Sequence, residues 1–522
     1  MGGAKAELAR DPVDAQAGHR SGLLHSLVTG AGALGLALGI ERGGSFFANV
    51  LAARLGGAQI FGAYSIALTA ANNVAWYVGA GIGDTASRFI AEHARGTPSY
   101  RRVIRCLMVI ACVSAAAAAG LLLAGAEPMA RLLLRNEKLA GPLRVAALSS
   151  VAFVFLECCR GIFIGTRSFG RLLILSTFVG IGLLAVVPQA AALGASQMLA
   201  RQSGAVLLAV SVAFVLIFRD RHTPVQTEIR DTEAPGLGRV WKFGLMQLGG
   251  VAGMNAAGWW TASLVARWDV SLLQVAFYVV ATQLRNVSSL VPSLVQHGNF
   301  AFFTDEGARH HGGADRVITV SSYVSSVLAT ICSGVAVIAI PWILSRFYGR
   351  DYIKAEFPAV LAVATLLVHF GVAPAASRLM IVSPFTAGVV NAIWAVFVVV
   401  TATLLIPSTG ALGATATLFS AHVLSMFLVV ASLWKLNSLP SGVLMLAIVD
   451  TATASLTTLL GWTRVLHPEH VIGVNFLVLG MTAAVSWYLL KIGQTQGVFP
   501  KTISVAALLQ RGRTAPSLGD AR

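Results

Sequence analysis

Charge is scarce in this chain. Of its 522 residues, 11% are Asp, Glu, Lys or Arg and 56% are hydrophobic, with a mean hydropathy of +0.75. A soluble fold of this size needs far more polar surface, so the composition excludes a water-soluble globule and implies a polytopic membrane protein. No Gly-x4-Gly-Lys-Ser/Thr phosphate loop is present, so the chain does not hydrolyse ATP by that route. His-Glu-x-x-His and Cys-x-x-Cys are absent too. His310 and His311 lie in a polar loop without neighbouring ligands and read as solvated loop residues, not a metal site. The five cysteines (Cys106, Cys112, Cys158, Cys159 and Cys332) fall within predicted helices as small apolar fillers, with no disulfide or metal framework. Segments between the apolar runs are short and leave no room for a soluble catalytic domain, so no enzyme activity is expected.

What the chain has in abundance is apolar runs of membrane-spanning length, each enough to cross ~30 Å of hydrocarbon as one helix. Fourteen are predicted, near 26–53, 60–86, 103–125, 142–165, 172–193, 203–218, 243–266, 275–298, 317–344, 357–380, 385–406, 411–434, 440–463 and 470–490. Residues 1–25 are polar, with no short apolar core or small-residue cleavage site, and read as a loose cytoplasmic tail. With the amino terminus inside, 25 of the 38 Lys and Arg fall on the cytoplasmic side and 11 outside, leaving Arg42 and Arg285 within the membrane. That asymmetry favours this orientation and places the carboxyl-terminal tail, 491–522, inside as well. The net charge of +16 follows from the same bias together with contact to anionic lipids, so membrane lipids are expected partners and nucleic acid is not.

The longest break, 219–242, contains proline and mixed charge without apolar periodicity, as a flexible cytoplasmic linker would. It separates two sets of six helices, 26–218 and 243–434. Those sets read as repeats. LAARLGGAQIFGAY (51–64) resembles LVARWDVSLLQVAFY (264–278), placing Arg54 over Arg267 and Tyr64 over Tyr278 at offsets of 213 and 214. ARLLLRNEKLAGP (130–142) lies over SRFYGRDYIKAEFP (345–358), pairing Arg131 with Arg346 and Arg135 with Arg350 at an offset of 215. Pro-x-x-x-Ala-Leu-Gly-Ala occurs at 188–195 and again at 407–414. An even helix count gives both sets one orientation, so the repeat is parallel, about an axis along the membrane normal. The expected fold is all-α: two six-helix lobes around a central cavity, with the two helices of 435–490 at the periphery.

Charged groups inside apolar runs cost roughly 2.5–3.5 kcal/mol each on insertion scales and tend to face a bundle interior or a wet cavity. Glu41, Ser45 and Asn49 stack on one face of the first predicted helix, with Arg42 at the edge of that arc. Tyr278, Thr282, Arg285, Ser289 and Gln296 form the cleanest polar stripe, on the eighth. A guanidinium there needs an anionic or carbonyl partner. Either it closes a salt bridge, with Glu41 as one partner, or it faces a ligand such as phosphate, whose oxygens match its fork of donors. Asn73, Tyr77, Asp84 and Arg88 share a narrow face of the second helix, where Asp84 and Arg88 read as an i, i+4 ion pair. Asn255 adds a polar group on the seventh helix. Glu157 and Arg160 read as an i, i+3 pair, and Asp450 lies in helix 13, outside the repeat, with no role assigned.

RLGGAQIFGAYSIAL (54–68), GIGDTASRFIAE (81–92), FYGRDYIKAEFPAVLAVAT (347–365) and IPSTGALGATATL (406–418), with the fourteen-helix count, resemble the Wzx-type polysaccharide flippases of the MOP exporter superfamily. That resemblance implies two rocking lobes in a bacterial cytoplasmic membrane that turn over an undecaprenyl-pyrophosphate-linked oligosaccharide for cell-surface polysaccharide. It implies Arg42 and Arg285 as phosphate-contacting residues and Asn49, Asn73, Asn255, Tyr278 and Thr282 as sugar-facing groups. A polysaccharide polymerase and glycosyltransferases would be working partners. No cofactor is expected. Net direction would come from membrane potential, about 2.3 kcal/mol per charge per 100 mV, or from a proton or sodium ion coupled through Glu41 or Asp84. Rival readings are a lipid II or multidrug exporter of the same superfamily and, from another class, a membrane-embedded glycosyltransferase or polymerase.

Overall fold

The computed structural model describes residues 12–79, 81–93, 95–219, 236–294, 313–496 and 498. The protein is an all-helical, multi-pass membrane protein. Its α-helices are α1 (Pro12–Gly79), α2 (Ile82–Ala91), α3 (Pro98–Pro128), α4 (Ala140–Gly165), α5 (Phe169–Ala190), α6 (Ala195–Arg219), α7 (Leu237–Trp268) and α8 (Leu273–Ser288). They continue with α9 (Gly313–Ile343), α10 (Glu356–Val382), α11 (Pro384–Thr409), α12 (Ala411–Lys435), α13 (Val443–Leu466) and α14 (Val471–Thr495). Among the described residues, ten helices are long and apolar enough to cross a membrane, against the fourteen spans expected. The remaining four fall in α1, which holds two of them, in α7 and in α8, which has only 16 residues.

Several boundaries differ from expectation for identifiable reasons. The first helix begins at Pro12, inside the segment read as a loose tail, because proline at the first helical position has its φ already set and has no N–H left unbonded there. The first two expected helices join into one, bent at Gly57, whose φ of 75° suits only a residue without a Cβ. The second expected helix does not reach residue 86. It stops at Gly79, and Gly81, at φ 63°, restarts the chain as the short α2. Asp84 and Arg88 therefore do not continue the face that carries Asn73 and Tyr77. The eighth helix breaks at Ser289 instead of running to 298, and α7 begins at Leu237, inside the expected linker of 219–242; Gln296, residues 220–235 of the linker, His310 and His311 lie outside the described residues.

Contacts divide the chain into two compact units. The first comprises Met1–Leu290, Ala339–Ala362 and Gly388–Ala421, the second Val291–Ile338, Val363–Ala387 and His422–Arg522. In the first, glycines let helices approach to backbone contact, as small residues do in membranes. A Cβ on Gly44 of α1 would lie 2.6 Å from Gly180 Cα of α5. Gly161 and Gly165, spaced as Gly-x-x-x-Gly on α4, press on the backbone of α2 at Gly83 and Ser87. The outward faces are apolar: Val396 and Leu404 on α11 are 63% and 70% exposed, the surface expected against lipid tails. In the second unit Tyr323, Val327, Leu446 and Leu489 form a small core where α9, α13 and α14 meet.

The repeat is visible in the backbone. α3 ends in a π-helical turn, Met129–Leu133, followed by a 3-10 turn, Glu137–Leu139. α9 ends in a π-helical turn at Leu344–Tyr348, followed by a 3-10 turn at Arg350–Ala355. The two π turns sit at the offset read from the sequence. Their common cause is a proline one or three residues upstream, Pro128 or Pro341, which removes a helix donor and leaves the next turn to widen.

Candidate functional site

The first buried polar cluster lies beside two close crossings, Gly44 of α1 on Gly180 of α5 and Gly161 of α4 on Gly83 of α2. In it Glu41 of α1 meets Arg160 of α4, whose guanidinium bonds both Glu41 and Glu157, its i−3 neighbour. Ser176 of α5 donates to the other oxygen of Glu41 at 3.2 Å. Glu41 and Arg160 are 14% and 17% exposed, and Arg160 Nε lacks a partner. The expected Glu157–Arg160 pair forms, but its link to Glu41 and the part of Ser176 were not read from the sequence. The signal was there in the glycines that let these helices touch. Two carboxylates share one guanidinium, and exposed Asp84 lies near enough to Glu157 to repel it. The cluster thus carries excess negative charge, an arrangement that favours a bound cation or proton.

This network removes one explanation for Arg285. Glu41 is engaged by Arg160, so the expected alternative of a Glu41–Arg285 salt bridge is not formed. Arg285 lies in the last turn of α8, twelve residues from its start, hence about 18 Å along at 1.5 Å per residue. It is half-buried, in electrostatic reach of the buried Tyr278 hydroxyl, and has no acidic partner among the described residues. The carbonyl end of α8 stabilises a cation there only in part. Arg42 is exposed on α1, also without an ion pair among the described residues.

The other expected residues are less free than the sequence implied. Asn73 donates to the Thr69 carbonyl at 2.9 Å and Thr282 to the Val279 carbonyl at 2.8 Å, both within their own helices. Asn49 accepts a long bond, 3.4 Å, from Tyr64, which also bonds Gln202. Tyr77 donates to the Ala252 carbonyl at 2.6 Å. Asn255 is half-buried on α7. Arg88 does not pair with Asp84: it bonds Glu92 at 3.3 Å and lies 4.3 Å from the Phe243 ring centroid. The structure brings Arg285 to Tyr278 and Glu41 to Arg160, and does not gather the remaining residues around either.

A second arrangement lies at the expected outer ends of the helices, within the first unit. Arg54 Nη1 donates to the Arg346 carbonyl at 2.8 Å, and Arg267 Nη1 donates to the Leu132 carbonyl at 3.4 Å. Asn136 Nδ2 donates to the Val270 carbonyl at 3.3 Å, and the Tyr352 hydroxyl to the Ala53 carbonyl at 3.5 Å. Each bond has its counterpart with the two repeats exchanged. An arginine at the end of each repeat's first long helix reaches the other's π turn, and the following 3-10 segment reaches back. The sequence marked Arg54 and Arg267 as equivalent without showing that they clasp across the repeat.

No family model matches the chain, and no curated protein matches it. Solved structures do. The lipid II flippase MurJ in an inward closed conformation aligns over 87% of this chain and 98% of its own, at 14% identity and a TM-score of 0.60. An inward-facing multidrug resistance MATE family transporter of the MOP superfamily aligns over 78% and 99%, at 14% identity and 0.57. The MATE multidrug transporter DinF-BH aligns over 79% and 95%, at 13% identity and 0.52. The chain shares the fold of this flippase and these transporters.

Proposed function

We propose that this protein is a flippase that carries an undecaprenyl-pyrophosphate-linked oligosaccharide across the bacterial cytoplasmic membrane by alternating access, for cell-surface polysaccharide. The observation that carries the reading is Arg285: a half-buried guanidinium whose expected protein partner is engaged elsewhere. Leaving such a charge without a counter-ion is costly, and a ligand's pyrophosphate supplies the anion. The lipid tail stays in the membrane, so only the charged head needs a polar path. Arg42 is a second phosphate contact, and Tyr278 and Asn255 are polar groups for the sugars. The termini are cytoplasmic in this reading, with a polymerase and glycosyltransferases acting before and after transport.

The reciprocal clasp is the closed outer gate, and its four bonds break when the cavity opens outward. The Glu41–Arg160–Glu157 cluster, with Asp84 at its edge, couples the cycle to a proton or sodium ion, because its charge balance changes when α1 moves relative to α4. A lipid II or multidrug cargo is the second reading, favoured by the fold neighbours and opposed, for a drug, by the lack of an acid at the Arg285 position.

A strain carrying only Arg285→Ala should lose surface polysaccharide and accumulate lipid-linked units on the inner leaflet, with normal amounts of protein in the membrane. Arg285→Lys should restore part of the export. Full export by Arg285→Ala would remove this residue from the site. Accumulation of peptidoglycan precursor instead would move the cargo to lipid II.

A further inference from the structure

The second unit holds a buried acid that the transport cycle above does not use. Asp450 on α13 is 0% exposed. Its Oδ2 accepts from Ser326 of α9 at 2.7 Å and presses on α10 where Gly371 leaves room for it. Its Oδ1 has no partner, and among the described residues it makes no ion pair. Four turns farther along the same face of α13, Arg464 bonds the Val337 carbonyl of α9 at 2.9 Å and Asn475 at 3.0 Å. Fourteen residues of helix separate the two charges by about 21 Å, too far for one to neutralise the other.

The same two helices carry further buried polar groups: Ser322, Ser326, Thr330 and Ser333 recur at helical spacing on α9, and Thr453 and Thr457 lie on α13. The Ser322, Ser325 and Thr330 hydroxyl oxygens have no partner. A packed interface of small polar residues is common between membrane helices, but each hydroxyl then bonds its own or a neighbouring carbonyl. Here several do not, and they lie along the helix that carries the carboxylate's hydrogen-bond donor.

We propose that Asp450 is a proton-binding site, with Ser326 as its positioning partner. An ionised carboxylate so buried, with no cation beside it, carries a penalty of several kcal/mol, which favours the neutral acid and lets the proton leave only when its surroundings or the pH change. Among the described residues Asp450 has one hydrogen-bond partner, the Ser326 hydroxyl, too few oxygens to replace the water shell of a metal cation such as sodium. The proton leaves Asp450 as the carboxylate forms and returns to it as the acid, with no other bond changed. Other titratable groups on these helices and on α14 include Tyr323 and Cys332 on α9, His369 and Arg378 on α10, Arg464 on α13 itself, and Tyr488 and Lys491 on α14. Arg378 already pairs with Asp315 at 3.0 Å. The proposal uses none of the residues assigned to the cargo or to ion coupling, so it can hold even if the proposed cargo is wrong.

Infrared difference spectra of the full-length protein in lipid nanodiscs test this. The wild type should show a protonated-carboxyl band that declines reversibly as pH rises, and Asp450→Asn should lack it. Exchanging sodium for choline should leave the band unchanged. If Asp450→Asn does not fold, Ser326→Ala should shift the same band and its pH midpoint in otherwise wild-type protein. An Asp450 band absent at all pH, present but unmoved by pH, or controlled by sodium would each overturn the proposal.

Discussion

Arg54 and Arg267 occupy matching places in the two repeats and make matching bonds, whereas the charges between the turns have no such symmetry. At the offset that relates the two arginines, 213 residues, Glu41 falls on Met254. Met254 packs against an apolar cluster of Ala257, Trp394, Ala395, Val398 and Ala421. The drifted offset of 216 places Glu157 over Ala373 and Arg160 over Ala376. One repeat therefore holds an acid-rich network where the other holds methyl groups and an indole. Arg285 in turn has its counterpart near Ala71 or Asn72. Backbone devices that reverse the chain and latch one half to the other recur; groups that would meet an ion or a cargo do not. In the proposed cycle the duplicated halves form the moving frame and the charges are divided between them: acids in the first and, in the second, a guanidinium with no acidic partner among the described residues.

The largest effect expected from breaking this contrast is at Arg160. Arg160→Met leaves Glu41 and Glu157 buried without a counter-charge and should cost about 3–5 kcal/mol, read as a fall in the thermal midpoint in nanodiscs. Replacing the whole network by apolar residues of similar volume, Glu41→Met with Glu157→Met and Arg160→Met, should recover most of that loss, because such a set replaces a buried ion network at little cost. The same triple variant should lose any dependence of transport on the proton or sodium gradient. Retained dependence would show that the cluster only holds α1, α4 and α5 together.

A smaller effect is expected at the clasp. Arg54→Ala and Arg267→Ala each remove one exposed hydrogen bond, worth about 0.5–1.5 kcal/mol, and so should each shift the gate toward opening severalfold. Labelling of single cysteines placed inside the gate would report the shift. The double variant should give the product of the two changes, since the bonds are separate. A strong effect from only one arginine would show that the two halves of the latch are unequal.

How much of this was legible in the sequence depended on the kind of signal. The helices and the repeat were readable because apolar run length and recurring turn residues are local properties. The Pro-x-x-x-Ala-Leu-Gly-Ala pairing was less reliable at the level of single residues: Gly194 has φ 99° in the first repeat, but in the second the turn falls at Gly410, three residues before the aligned Gly413. Apolar composition runs on through Gly79 and Gly81 and does not reveal a left-handed residue, so the second helix reads as continuous there. Glu157 and Arg160 were paired correctly from their spacing. That Glu41 joins them depends on how α1, α4 and α5 pack, with Gly44 of α1 against Gly180 of α5, and packing is not a local property. Asp450 had a known position and no partner in the sequence, because Ser326 lies 124 residues away.

The most direct measurement is binding of undecaprenyl pyrophosphate to purified wild type and Arg285→Gln in nanodiscs. If Arg285 takes the anionic head, the wild type should bind with an affinity that weakens as salt rises, and Arg285→Gln should bind at least tenfold more weakly with a flatter salt dependence. Equal affinity and equal salt dependence in the two proteins would contradict the account.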